Sequence, residues 1–201
     1  MMVSEHGCET RTSNLGAPLS VLLLPRVAGH VVCCWPDGLV AAYRRAQMFA
    51  VSLWTLQLQH AIACMCAHDR SGIIVAASVG GSCSLISAAD GHIVRIFSLG
   101  PIVIMTLLMC SDTVLLCITR DGRVMMFALD GTVTCKAVLA LGSPLLHASA
   151  AADSMVSMVT SNGCVHLIEF HADNCSLRDR GSVVCLKTAV MSVVAGALHA
   201  R

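Results

Sequence analysis

Three side chains with metal-binding chemistry lie at alternate positions near residue 66: Cys64, Cys66 and His68. On a β-strand, alternate residues point to the same face, so thiolate and imidazole groups at this spacing could hold a soft metal ion. The motif has neither a Cys-x-x-Cys pair nor a nearby fourth ligand, which structural zinc sites usually have. Small buried side chains in a packed strand are the alternative interpretation, and we predict no metal here.

Nucleophilic catalysis is a second chemistry that Cys66 and His68 could carry, because a reactive thiolate needs a neighbouring base. The sequence has no Gly-Lys-Ser/Thr phosphate loop, no His-Glu-x-x-His motif and no Gly-x-Ser-x-Gly elbow. We therefore predict that the chain is not an enzyme and that it uses no cofactor.

Two dense groups of positive charge are candidates for binding a protein partner: Arg44 with Arg45, and Arg178 with Arg180. Both are expected in connections that follow the third strand of a sheet. A solvated loop is one interpretation of these residues, and a patch for an acidic partner is the other.

Composition narrows the class of partner. The 201 residues are 56% hydrophobic and 12% charged, with 13 Lys and Arg against 12 Asp and Glu. This content excludes a disordered chain, and a net charge of +1 without a basic run argues against nucleic acid and anionic lipid as partners. The mean hydropathy of +0.75 leaves membrane association as an alternative. We expect no membrane-spanning helix, because Gly100, Pro101 and Asp112 interrupt the most apolar stretch.

The N-terminal residues predict the compartment. Glu5, His6 and Glu9 stand where a secretion signal needs basic residues followed by an apolar segment. We therefore expect an intracellular protein, cytoplasmic or nuclear, in which the twelve cysteines are reduced.

The elements that position these side chains follow a repeat of about 41 residues. Four turns share one pattern and are spaced 43, 41 and 41 residues apart at their second residue: Asp37-Gly38, Gly80-Gly81, Asp121-Gly122 and Asn162-Gly163. Such pairs supply the positive φ angles of tight hairpin turns. A second turn marker keeps nearly the same step at Asp69, Asp112 and Asp153.

Each unit predicts four short strands. In the second unit these are 61–67, 73–78, 83–87 and 93–99, and in the third they are 102–109, 114–119, 124–129 and 133–139. Four strands per repeat of this length are typical of a β-propeller blade, whose faces are both buried by neighbouring blades. We predict an all-β chain with blades at 17–59, 60–100, 101–142 and 143–182, within a propeller region of 17–187. Residues 1–16 form an arm, a further strand starts after residue 182, and 188–201 form a tail or partial blade.

The segment from Gly81 to Phe97 resembles the quinoprotein-type (PQQ-like) propeller repeat, with weaker copies at Asp37 to Trp54 and Asp121 to Gly131. The resemblance spans about Pro18 to Lys187 and is shared loosely with WD40 propellers, although the Trp-Asp dipeptide of many WD40 blades is missing. It allows an alternative function, a quinoprotein-like or enzyme-associated propeller that binds a small cofactor or metal in its channel. It also suggests a vicinal disulfide at Cys33-Cys34, whereas neighbouring strand residues on opposite faces need no such bond.

The leading functional prediction is a non-catalytic scaffold for protein–protein interaction within a larger intracellular assembly, because propellers present rigid loops at the ends of their blades. Four blades are at the small end of the usual range of about 4–8. The chain is therefore either a small closed ring or an incomplete one, and we expect a protein partner or self-association to complete the propeller.

Overall fold

The computed structural model describes residues 16–184 apart from residue 28, residues 48–50 and residue 153. These residues form sixteen strands in four antiparallel sheets of four strands, here called blades 1 to 4. In every blade the strands pair in chain order. The all-β propeller-type prediction is confirmed, and the ring of blades is not closed.

The strands have the following bounds. Blade 1 consists of β1 (Ser20–Leu24), β2 (His30–Cys34), β3 (Leu39–Arg44) and β4 (Ser52–Gln57), with one turn of 3-10 helix at Arg45–Gln47. Blade 2 consists of β5 (Ile62–His68), β6 (Ile73–Ser78), β7 (Ser82–Ser87) and β8 (Ile93–Ser98). Blade 3 consists of β9 (Ile104–Met109), β10 (Val114–Thr119), β11 (Arg123–Ala128) and β12 (Thr134–Ala140). Blade 4 consists of β13 (Leu145–Ala152), β14 (Met155–Thr160), β15 (Cys164–His171) and β16 (Ser176–Val184).

The strands of blades 2 and 3 lie within two residues of the bounds that the repeat predicts, because the turn residues fix where each strand begins. The repeated turn glycines have positive φ angles of 96° at Gly38, 82° at Gly81, 86° at Gly122 and 82° at Gly163, as a tight turn requires. The last sheet continues through Val184, two residues past the predicted end of its blade. The predicted arm up to residue 15, the further strand past residue 184 and the tail lie outside the described residues.

The hydrophobic core is divided into layers between neighbouring blades. One cluster joins blades 1 and 2 through Val32 and Ile74, and another joins blades 2 and 3 through Val75 and Leu115. A third joins blades 3 and 4 and includes Met158. In blades 2 and 3 the second strand is therefore covered by a neighbouring blade on both sides, and all six residues of β10 are buried. This burial explains why the sequence is so apolar without alternating between polar and apolar residues.

The side of blade 1 that faces away from blade 2 carries a fourth apolar cluster. Its members are all buried: Val31, Cys33, Trp35, Ala41 and Tyr43. None of the helical segments among the described residues is long and apolar enough to cross a lipid bilayer.

Candidate functional site

The structure places Cys64, Cys66 and His68 on β5, and the two thiols pack into the layer between blades 2 and 3. His68 instead uses its Nδ1 atom to contact the Ser71 hydroxyl at 2.9 Å. Among the residues that the structure describes, no three His, Cys, Asp or Glu side chains come together to hold a metal ion. The shared strand face of the two cysteines therefore serves packing.

The cysteine thiols between blades 2 and 3 are expected to have low reactivity. Burial raises the pKa of the Cys64 and Cys83 thiols to about 12, and it raises the pKa of fully buried Cys66 well above the ordinary value. Because only the thiolate attacks a substrate or binds a soft metal, burial disfavours both chemistries here.

Cys33 and Cys34 are free thiols on opposite faces of β2. Cys34 packs between blades 1 and 2, whereas Cys33 belongs to the cluster on the other side of blade 1. Burial raises the pKa of each thiol to about 11. The vicinal disulfide that the quinoprotein resemblance suggests is absent from the structure, because a strand points successive side chains in opposite directions.

The two arginine groups lie on the first and fourth blades. Arg44 ends β3 and Arg45 begins the 3-10 turn, so this exposed pair stands at the predicted connection. The prediction that Arg178 and Arg180 lie in a loop is wrong. Both residues lie inside β16, which pairs with β15 along its length. No hydrogen bond or ion pair joins the two groups within the described part of the chain.

Arg180 forms a two-point ion pair with a carboxylate on the neighbouring strand. Its Nε atom donates to Glu169 Oε2 at 2.7 Å, and its Nη2 atom donates to Oε1 at 3.0 Å. His171 Nε2 lies 3.4 Å from the same carboxylate. The hydrogen bond from Arg180 is the main cause that lowers the pKa of Glu169 below its usual range.

Glu169 and Arg180 belong to the side of blade 4 that faces away from blade 3, here called the outer face of blade 4. Ile168 and Phe170 pack toward blade 3, so the alternate residues of β15 point the other way. This face also carries three apolar side chains, of which one is buried and two are partly exposed: Val159, Val165 and Leu167. No further blade covers this face among the described residues.

Side chains of the fourth strand form hydrogen bonds from blade 1 to blade 2 and from blade 2 to blade 3. Trp54 of blade 1 donates its indole N–H to the Ala88 carbonyl of blade 2 at 3.1 Å. Arg95 of blade 2 reaches blade 3 in the same way, with Nη1 donating to the Leu129 carbonyl at 2.8 Å and Nη2 donating to the Gly131 carbonyl. In both cases the acceptors lie at the turn between the third and fourth strands of the next blade.

At one end of every inter-blade step, the chain crosses directly over the repeated turn glycine. A Cβ atom on Gly81 would lie 2.0 Å from the Gly100 carbonyl oxygen, and one on Gly122 would lie 2.1 Å from the Ser143 carbonyl oxygen. Backbone hydrogen bonds fasten the crossing over Gly122, with Leu141 N–H donating to the Gly122 carbonyl at 2.9 Å. We call this end of the blades the connection face.

The connection face of blade 3 contains a groove of about 510 Å³. Its lining combines apolar walls with charged side chains from the turn between β10 and β11: Pro101, Ile102, Val103, Pro144, Arg120, Asp121 and Arg123. The volume falls within the range of about 300–1,000 Å³ that is usual for ligand pockets.

Comparison with known proteins identifies the architecture. No protein-family model and no curated protein matches the sequence. Among solved structures, the β-propeller domain of Cps50 (Swd1) from Myceliophteria thermophila superposes with a TM-score of 0.68 at 13% identity, over 85% of this chain and 55% of that one. The chain has a WD40-like and PQQ-like propeller fold. The WD40 domain of Toxoplasma gondii coronin gives 0.67 at 12% identity, over 84% of this chain and 46% of that one. BamB from Moraxella catarrhalis superposes with a TM-score of 0.60 at 14% identity, over 83% of this chain and 51% of that one. This propeller chain therefore spans about half the length of the solved structures that it matches.

Sequence reasoning about the propeller missed Glu169 and the groove residues. Arg120 and Arg123 flank the third turn glycine, and this charge beside a repeat marker was a signal in the sequence. The contribution of Pro144 could not be seen, because it lies more than twenty residues from that turn and reaches the groove only through the crossing of the chain.

Proposed function

We propose that this chain is a non-catalytic propeller scaffold for protein–protein interaction, in which the outer face of blade 4 packs against a β-blade supplied by a partner protein. We infer that the assembly is intracellular, which is supported by the absence of a disulfide among the ten cysteines that the structure describes. The outer face would contact the partner's blade in the same way as neighbouring blades pack against one another within the chain.

The position of Arg180 carries the proposal. Ala42 and Leu85 are each the fourth residue after the turn glycine of their blade. Their partners on the neighbouring fourth strand are Trp54 and Arg95, respectively. The matching residue of blade 4 is Leu167. The pairing of β15 with β16 shifts register at this residue, because His166 pairs with Ser182 and Ile168 pairs with Asp179. Arg180 lies in β16 between these two partners, opposite Leu167. In blade 3 the matching residue Met126 pairs with Ala137, whose methyl side chain cannot form a hydrogen bond. Arg180 therefore occupies the place from which the fourth strands of blades 1 and 2 reach the next blade.

The apolar residues of the outer face support the same contact. Val165 and Leu167 match the positions at which Val40 and Ala42 are buried against blade 2, and at which Cys83 is buried and Leu85 packs, partly exposed, against blade 3. These two side chains remain partly exposed in blade 4. Covering them would bury apolar area, at roughly 25 cal/mol for each Å² removed from water.

A photo-cross-linking residue at the position of Leu167 tests the proposal in cells that produce the full chain. The control places the same residue at Val94, which is 53% exposed on the fourth strand of blade 2. We expect one cross-linked protein at position 167 and none at position 94, with the cross-linked peptide of the partner lying in a β-strand. Light-scattering mass of the purified chain then distinguishes a second copy from a different protein.

A second variant, Leu167→Asp, places a carboxylate beside Glu169 and is expected to abolish capture of the cross-linked partner when it is tested by affinity purification. Val94→Asp is expected to leave it unchanged. Absence of any cross-link at position 167, or equal capture by wild type and Leu167→Asp, would refute the proposed contact.

A further inference from the structure

The groove on the connection face of blade 3 is a separate site from the outer face of blade 4. Three residues that open blade 3 form one wall, and the turn between β10 and β11 forms another: Pro101, Ile102 and Val103 against Arg120, Asp121 and Arg123. Pro144, at the start of blade 4, adds a further apolar edge. Val103 is 56% exposed, so apolar surface faces solvent inside the groove.

The turn around Gly122 does not require arginine at positions 120 and 123 in order to form. Around the other three turn glycines, the residue at the position of Arg120 is Pro36, Val79 or Ser161. The residue at the position of Arg123 is leucine, serine or cysteine in those turns. All four turns nevertheless have a similar positive φ at glycine, between 82° and 96°. Formation of the turn therefore does not explain either guanidinium group.

The charges in the groove are not balanced. Arg123 Nε lies 3.0 Å from Asp121 Oδ2, so these two side chains neutralise one another. Asp121 also accepts a hydrogen bond from the Thr119 hydroxyl, which holds the carboxylate at the turn. The exposed Arg120 side chain has no hydrogen bond or ion pair with any part of the chain that the structure describes. One unpaired positive charge thus lies beside apolar walls.

We propose that this groove binds a short extended peptide segment of a partner protein, in which an Asp or Glu carboxylate pairs with Arg120 and an adjacent apolar side chain contacts Val103 and the two prolines. A guanidinium group offers parallel N–H donors that match the two oxygens of a carboxylate. Apolar walls beside a few polar groups are the usual composition of a recognition site.

Nucleic acid suits the groove less well. Its lining has no aromatic side chain on which a base could stack, and the Asp121 carboxylate would repel a phosphate. The whole chain has a net charge of only +1, which gives a polyanion little long-range attraction.

The test uses the full chain and an array of immobilised hexapeptides in which a central Asp or Glu is flanked by Leu, Val, Ile, Met or Phe. A matched array replaces each acid by Asn or Gln. The peptide that binds best is then labelled and titrated by fluorescence polarisation, together with its amide counterpart. We expect the acidic peptide to bind about tenfold more tightly than the amide, because hydrogen bonds to charged groups are the stronger class.

Two variants of equal charge change decide the assignment. Arg120→Gln is expected to remove the preference for the acid, whereas Arg70→Gln, at an exposed turn at the other end of blade 2, is expected to retain it. Circular dichroism of both variants checks that the sheets remain folded. An array without saturable binding, an acid preference that survives in Arg120→Gln, or an equal loss in Arg70→Gln would overturn the proposal. Because cross-linking at position 167 does not involve the groove, failure of one site leaves the other to be judged separately.

Discussion

Replacing Gly122 by Ala tests how the crossing chain joins blades 3 and 4. The φ of 86° costs a non-glycine residue about 1–2 kcal/mol. The new Cβ atom would also lie 2.1 Å from the Ser143 carbonyl oxygen, so the crossing must move by more than 1 Å to reach an ordinary contact of about 3.5 Å. That movement strains two backbone hydrogen bonds of 2.9 Å, to the Gly122 and Arg120 carbonyls, each worth about 1 kcal/mol. We expect Gly122→Ala to lower the free energy of unfolding by about 3–4 kcal/mol.

The matched control is Gly142→Ala in the same crossing. Gly142 has a φ of 73°, yet a Cβ atom there would meet nothing within 4 Å, so only the conformational cost of about 1–2 kcal/mol applies. Urea unfolding followed by circular dichroism measures both variants, and unchanged m-values show that midpoints can be compared. Equal destabilisation by the two substitutions would show that the close approach of the chain over Gly122 contributes nothing.

Three further predictions concern side chains that the structure assigns to packing or to ion pairs. Trp54→Ala is expected to destabilise the chain by about 3–5 kcal/mol, measured by urea unfolding, because it removes an aromatic side chain and its hydrogen bond to blade 2. With a maleimide at neutral pH, exposed Cys135 is expected to react before buried Cys66, which reacts only on unfolding, and peptide mass spectrometry gives the order. Because Arg180 lowers the folded-state pKa of Glu169, their ion pair stabilises the fold at neutral pH and loses that effect as the pH falls below the ordinary Glu value of 4.5. The melting temperatures of wild type and Arg180→Gln should therefore converge in acid.

The repeat was predictable because its turns depend on local backbone geometry. A residue with positive φ is needed at a fixed point in each blade, and glycines such as Gly81 and Gly122 mark that point in the sequence. The flanking strands are apolar on both faces, so their positions could be predicted even where alternation failed. Cys33 and Cys34 on opposite faces of β2 followed from the same two-residue period.

The candidate sites were less predictable because they depend on where blades meet. Arg180 was expected in a loop, since its neighbours are polar and a nine-residue outer strand has no apolar pattern of its own. Its partner Glu169 lies on the preceding strand, at a register that shifts between His166 and Ile168. The position of such a register shift cannot be predicted from the spacing of residues in the sequence. The crossing that brings Pro144 to the groove cannot be predicted in this way either.

The chain that crosses each turn glycine affects how this architecture can diverge. The contact joins one backbone to another, so it restricts a single position per repeat to a residue without a side chain and leaves the neighbouring side chains free to change. Arg120 and Arg123 show this freedom, because they occupy positions where the other turns have quite different residues. Units of this kind can therefore differ widely in sequence and still share one fold, and the TM-score of 0.68 at 13% identity is a shared fold at low sequence identity. New recognition residues can then arise at one turn without disturbing how the others fold.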